Sequence, residues 1–243
     1  MAEETTFGET GREWLTYSHK GKEGKFAFPP VRGTHQKCYQ AINADSEIIP
    51  AEGLEIALLT QEAYTQNTPR WEKVREDCFV KRYIRAPMRL SWMPHNSELA
   101  GAIVERDLEG RGLLSKMNLP VDISNWKKNE SGLYVSPNEN QIYVEKARYS
   151  LGEINENDGL AIAYLGREGA EIFVRTARDN KKVPYSWGLN IKDIKQPEQR
   201  VVVLGENGGR LCVDGLNWGG YDYGCAFGVV GGEASAQKIN KII

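Results

Sequence analysis

The chain changes character at Pro184, and that change limits the folds open to it. Before Pro184, several apolar sets recur at helical spacing. After it, Tyr185 to Ile191 and Arg200 to Val230 read as short strands cut by glycine turns. Helices with scattered strands, followed by a β-rich end, predict an α+β fold rather than regular βαβ alternation. At 243 residues, with 40% hydrophobic and 26% charged, the chain suits one large globular domain that needs no disulfide or metal staple. We divide it into a polar arm over 1–25, a folded domain over 26–232 with a distinct region at about 200–230, and a tail over 233–243.

Local signals fill in the front half. Phe26-Ala27-Phe28 before Pro29-Pro30 predicts a short edge strand. Thr34 is placed to cap a helix running to about Ile42. Ile49-Pro50-Ala51-Glu52 opens a helix to about Tyr64 that is apolar over a wide arc, so it should be well buried. Tyr83 to Ala86 could form a strand. Ser97 to Leu108 has helical spacing at Leu99, Ile103 and Val104. Leu133-Tyr134-Val135 and Ile142-Tyr143-Val144 bracket a turn cluster and predict a hairpin. Ala170, Phe173, Val174 and Ala177 predict a second amphipathic helix ending at Asn180.

Composition argues against several function classes. Lys+Arg 31 against Asp+Glu 33 leaves a net charge of −2, unlike domains that bind nucleic acid through bulk charge. No apolar run is long enough to span a membrane. The acidic start lacks the basic and apolar regions of a signal peptide, so a cytoplasmic location is expected, with surface display left open. Three histidines without metal-ligand spacing and four scattered cysteines give no zinc or triad signature, so no cofactor and no metal is expected. Leu204 to Gly209 lacks the Lys-Ser/Thr of a phosphate loop and reads as a hairpin turn. Glu76/Asp77 and Glu105/Asp107 read as solvated carboxylates.

One stretch stands apart. Arg200 to Gly232 holds ten of the 25 glycines, no lysine, and only Glu206, Asp214 and Asp222 as acids. Asp214 to Tyr223 concentrates Trp, Tyr, Asn, Asp and Gly, the residues of adaptable binding surfaces. The same composition also fits a glycine-rich connection inside a sheet.

Arg210-Leu211-Cys212-Val213-Asp214-Gly215-Leu216-Asn217-Trp218, followed by Ala226-Phe227-Gly228-Val229, resembles the variable proteins of diversity-generating retroelements. The likeness is strongest to those of small-genome archaea. Ile49 to Ala57 is similar to the opening of that group's second helix. Pro184-Tyr185-Ser186-Trp187-Gly188 resembles its Trp-bearing strand. The resemblance implies a C-type lectin fold, related to that of formylglycine-generating enzymes, with N-terminal helices packed on short antiparallel strands.

It also implies a function: binding a variable target, expected to be a protein, through a diversified surface and without catalysis. Template adenines are the sites of substitution in that family, so Asn codons are the usual targets. The implied variable positions are Gly205, Asn207, Cys212, Asp214, Leu216, Asn217, Gly219, Gly220, Tyr221, Asp222, Tyr223 and Cys225, all reachable from such codons. The implied structural anchors are Trp187, Arg210, Leu211, Val213, Trp218 and Phe227. Strand alternation would point Leu211 and Val213 inward, and Cys212 and Asp214 outward. The chain departs from calcium-binding lectins, lacking their Glu-Pro-Asn and Trp-Asn-Asp motifs. Alternatives on the same resemblance are a formylglycine-generating-enzyme-like copper oxidase using Cys212 and Cys225, or a phage-derived attachment domain.

Overall fold

The computed structural model describes residues 12–108, 121–215 and 223–231. It opens on a hairpin of β1 (Glu13–His19) and β2 (Lys22–Phe28), which turns at Lys20 and Gly21, both at positive φ. Leu15, Tyr17 and Phe26 alternate inward along this hairpin. Residues expected to form a polar arm are therefore part of a sheet from Glu13 onward. That sheet has the order β1-β2-β15-β4, where β4 is Ile49–Pro50 and β15 is Gly228–Gly231. Phe26 to Phe28 is thus an interior strand, not an edge. Its second neighbour, β15, comes from the far end of the chain, which local sequence cannot reveal.

β3 (Val31–Gly33) leads into α1 (His35–Ala44), where the Thr34 hydroxyl accepts the Lys37 N–H at 3.3 Å. α2 (Leu54–Thr65) is buried from Glu55 through Thr60 and again at Ala63 and Tyr64, as its wide apolar arc predicts. It packs on the long α4 (Gly159–Asp179), which breaks at Gly166 and is closed by Asn180. Between them come α3 (Pro69–Val74) and a π-helical turn over Arg75–Val80.

The second sheet carries most of the molecule. β5 (Tyr83–Met93) is its centre, paired with β6 (Gly101–Arg106) and β12 (Glu198–Asn207). β6 corrects the helix expected over Ser97–Leu108. Ala102 and Val104 enter the main core while Ile103 enters a smaller one with Met93, Trp126 and Tyr143. A strand buried on both faces shows no period-2 alternation and is easily read as a helix.

Outward from β6 the order continues through β9 (Gln141–Glu145), β8 (Tyr134–Val135) and β7 (Lys127–Lys128). The predicted 133–144 hairpin is present as β8 and β9. In the other direction lie β13 (Arg210–Asp214), β11 (Val183–Trp187) and β10 (Gly152–Glu153). β14 (Gly224–Ala226) pairs with β3 and with the first residues of β5. The architecture is α+β: helices packed on mainly antiparallel sheets, with every described strand of the β-rich end inserted into one of the two.

Candidate functional site

The candidate surface is organised by β13, held between β12 and β11. β12 and β13 join through Gly208 and Gly209, at φ +56° and +77°, with Asn207 paired to Arg210. Two consecutive positive φ values in a two-residue loop are the hairpin geometry that favours glycine. The hairpin expected at Leu204–Gly209 is therefore present.

Side chains alternate along β13 as expected, but the outer face is not all solvent. Leu211 and Val213 are fully buried in the main core. Arg210, Cys212 and Asp214 take the opposite face. There β11 adds Tyr185 opposite Cys212 and Trp187 opposite Asp214. The Tyr185 and Trp187 rings meet with centroids 4.7 Å apart, and the Arg210 guanidinium carbon lies 4.8 Å from one centroid and 5.8 Å from the other. Cys212 is set beneath this layer at 1% exposure, its sulfur 3.6 Å from the Arg210 carbonyl. Burial pushes its thiol up to about 11. The outward position expected for Cys212 is thus corrected: large neighbours on the adjacent strand close over it.

Asp214 is half-buried. One carboxylate oxygen, Oδ1, has no hydrogen-bond partner among the described residues, and the carboxyl accepts the Trp187 backbone N–H. Burial outweighs that bond and pushes the carboxyl up to about 7. Immediately after it, the Gly215 N–H donates to Trp187 O at 3.0 Å, and Gly215 O accepts the Trp92 indole N–H at 3.3 Å.

The other expected positions divide. Asn207 is exposed at the hairpin tip and Tyr223 is 65% exposed. Gly205 faces the π-helical turn: a Cβ there would lie 3.4 Å from the carbonyl oxygens of both Phe79 and Arg82, so larger side chains are disfavoured. Cys225 is fully buried, 3.7 Å from Tyr83 O and in thiol contact with Cys78, both of which correct its expected place on the binding face. Leu216, Asn217, Trp218, Gly219, Gly220, Tyr221 and Asp222 lie outside the described residues. Of the expected anchors, Leu211, Val213 and Phe227 are core, whereas Trp187 and Arg210 are only half-buried.

Cys212 and Cys225 do not come together. β12 and β5 separate their strands, so three strand spacings of about 4.8 Å put them roughly 14 Å apart. Among the described residues, no group of three or more His, Cys, Asp or Glu is placed to hold a metal ion, and no helix is long and apolar enough to cross a membrane.

Sequence reasoning missed three features. Tyr185 belongs to the aromatic layer; its i, i+2 spacing to Trp187 was the available signal. Glu206, on the inner face, accepts the Tyr64 hydroxyl at 2.7 Å and pairs with Lys182 at 2.5 Å. His35 and Asp107 form a sealed pair, Nε2 to Oδ2 3.1 Å, at 1% and 0% exposure. Asp107 is therefore not a solvated carboxylate, and its neighbour Glu105 pairs with Arg89 at 2.6 Å. Burial lowers the His35 pKa against the opposing pull of Asp107. A separate cavity of about 840 Å³ lies between Glu52–Glu55, the Gly166 break of α4 and the β6–β9 strands; none of the candidate residues lines it.

No protein-family model matches the chain, and no curated protein matches it. One solved structure, described as "Accommodation of massive sequence variation in Nanoarchaeota by the C-type lectin fold", is similar at 11% identity and a TM-score of 0.41, over 93% of this chain and 99% of that one.

Proposed function

We propose that this protein is a non-catalytic ligand-binding protein of C-type lectin type, whose surface between β13 and β14 is diversified by a retroelement. One observation carries the reading. The apolar residues of the C-terminal motif, Leu211, Val213, Ala226, Phe227 and Val229, are all core, while the strands that hold them bracket residues 215–223. Exposed positions outside such a core can change at little cost, surface substitutions usually altering stability by no more than about 0.5 kcal/mol. The buried Cys212 and Cys225 and the crowded Gly205 restrict the diversifiable set to Asn207, Asp214, Leu216, Asn217, Gly219, Gly220, Tyr221, Asp222 and Tyr223, with Trp218 kept as an anchor. The ligand is a macromolecule that differs from variant to variant, with a protein as the expected class.

The test is genetic. Sequencing the locus and its counterparts across isolates should reveal a near-copy of codons 207–223 beside a reverse-transcriptase gene, with substitutions concentrated at template adenines. A solitary gene with invariant codons across that interval would refute the proposal.

A further inference from the structure

Arg210 belongs to a different category from Leu211 and Val213, although all three were expected to be anchors. Its side chain is half-buried, and it makes no hydrogen bond or ion pair among the described residues. Other arginines near the sheet are engaged: Arg89 with Glu105, Arg106 with Glu52, and Arg200 with Glu198. What positions Arg210 is the pair of rings beneath it, Tyr185 and Trp187. A guanidinium laid on aromatic faces stays charged and loses little further freedom on binding, and its N–H edges remain directed at whatever approaches. Asp214 shares the face four residues along but forms no ion pair with it among the described residues.

The border of this platform suits a macromolecular partner. Across the hairpin from Arg210 stands the exposed Asn207, and beside it on β11 is Val183, 39% exposed. Tyr, Trp and Arg are the residue types that dominate binding energy at protein interfaces. The charge pattern narrows the chemistry further. Arg200 to Gly232 has no lysine, and its other described arginine, Arg200, is already paired. A single planar cation beside apolar rings matches one carboxylate, which the guanidinium can hold with two parallel bonds. Polyphosphate or nucleic-acid backbones call for several cations.

We infer that Arg210, mounted on Tyr185 and Trp187, is a fixed carboxylate receptor, and that it takes an acidic side chain neighbouring an aromatic one on a protein partner. The inference rests on the ligand-binding reading above but does not need the surface to be diversified. It assigns the binding face an invariant half, which selects for charge and a ring, next to the half that would vary.

The experiment uses the full chain labelled with ¹⁵N at its indoles, the Trp187 signal being assigned with Trp187→Phe. Two probes are titrated in: N-acetyl-Asp-Phe-amide and its uncharged counterpart N-acetyl-Asn-Phe-amide. The Asp peptide should give a saturable shift of the Trp187 signal, with an affinity at least tenfold above that of the Asn peptide. Arg210→Gln should abolish that preference, Arg210→Lys should retain part of it, and the Trp92 signal should report an intact fold throughout. Equal shifts with both probes, or an unchanged preference in Arg210→Gln, would overturn the inference. So would binding that appears only after Asp222→Asn, because Arg210 would then serve a carboxylate of its own chain. The locus test does not depend on any of these outcomes, so failure here leaves diversification to be judged separately.

Discussion

Asp214→Asn should stabilise this protein, by an amount that depends on pH. In the folded state burial pushes the Asp214 carboxyl from 3.8 up to about 7, so the native protein holds that proton more tightly than the unfolded chain. A carboxyl raised on folding is neutral in both states below about pH 3.8 and adds no penalty there. As pH rises towards 7 the unfolded chain releases the proton first, and native stability falls by about 1.4 kcal/mol for each pH unit in the window. Across the whole window the loss is roughly 4 kcal/mol as an upper figure, and about 2–4 kcal/mol once water at the exposed edge is allowed for. Asparagine can accept the same Trp187 N–H without carrying a charge. Urea unfolding at a series of pH values measures the difference between the two proteins. It should be near zero at pH 3.5, grow through pH 4–7, and level off above. Taking the difference cancels the other groups, including Asp158, which burial also raises, and His35, which acts in the opposite direction. A difference flat to within about 0.5 kcal/mol from pH 4 to 8 would show that the carboxyl finds compensation in the native state, and would refute the argument from its orphaned oxygen.

Other consequences can be checked alongside. Because burial lowers the His35 pKa, the native state resists its protonation, and stability should decline as pH falls below 6.5; His35→Gln should remove that part of the decline in the same unfolding series. Asp107→Ala should cost about 1–3 kcal/mol, since it leaves the sealed, neutral His35 imidazole without its hydrogen-bond partner, and chemical denaturation would report it. All four cysteines are buried, so a thiol reagent should label none of them rapidly in the native protein and all four in urea; fast native labelling of Cys212 would contradict its place under Tyr185 and Trp187. Leu211→Ala should lose about 2–5 kcal/mol and Asn207→Ala less than about 0.5 kcal/mol, as thermal or urea melts can show.

What was legible in the sequence was whatever is decided locally. Thr34 caps its helix, Asn180 closes α4, and the Gly208–Gly209 turn joins β12 to β13, because each depends on a few neighbouring residues. The β1–β2 hairpin carried a local signal too, the inward alternation of Leu15, Tyr17 and Phe26, which the glycines nearby masked. β6 was not legible, because neighbours from distant parts of the chain cover both of its faces and erase the alternation. Asp107 was not legible for the same reason: it is buried by α1, whose His35 lies 72 residues away in sequence. In the candidate site, the direction of each β13 side chain followed from period 2. Its exposure did not, since that is set by β11, a parallel neighbour brought in after a helix and a turn. Direction is a property of one strand; exposure is a property of the strand beside it.

That distinction bears on how a binding surface of this kind can tolerate change. The neighbouring layer of Tyr185, Trp187 and Arg210 turns Cys212 into a second core position, so variation there would disturb packing, as it would at Leu211. Cys225 is constrained likewise by β3, β5 and the Cys78 thiol. Among the described residues, the positions left open are Asn207, exposed beside the hairpin turn at the end of β12, and Tyr223 before β14. Gly215 marks the near limit of that freedom: its backbone is tied to Trp187 and Trp92, and a Cβ on it would collide with Leu90. Gly224 marks the far limit, because a Cβ there would collide with the Arg85 guanidinium. Substitution at either glycine disturbs packing, so a mutagenic process acting on this gene would yield folded products at high frequency only where both are kept.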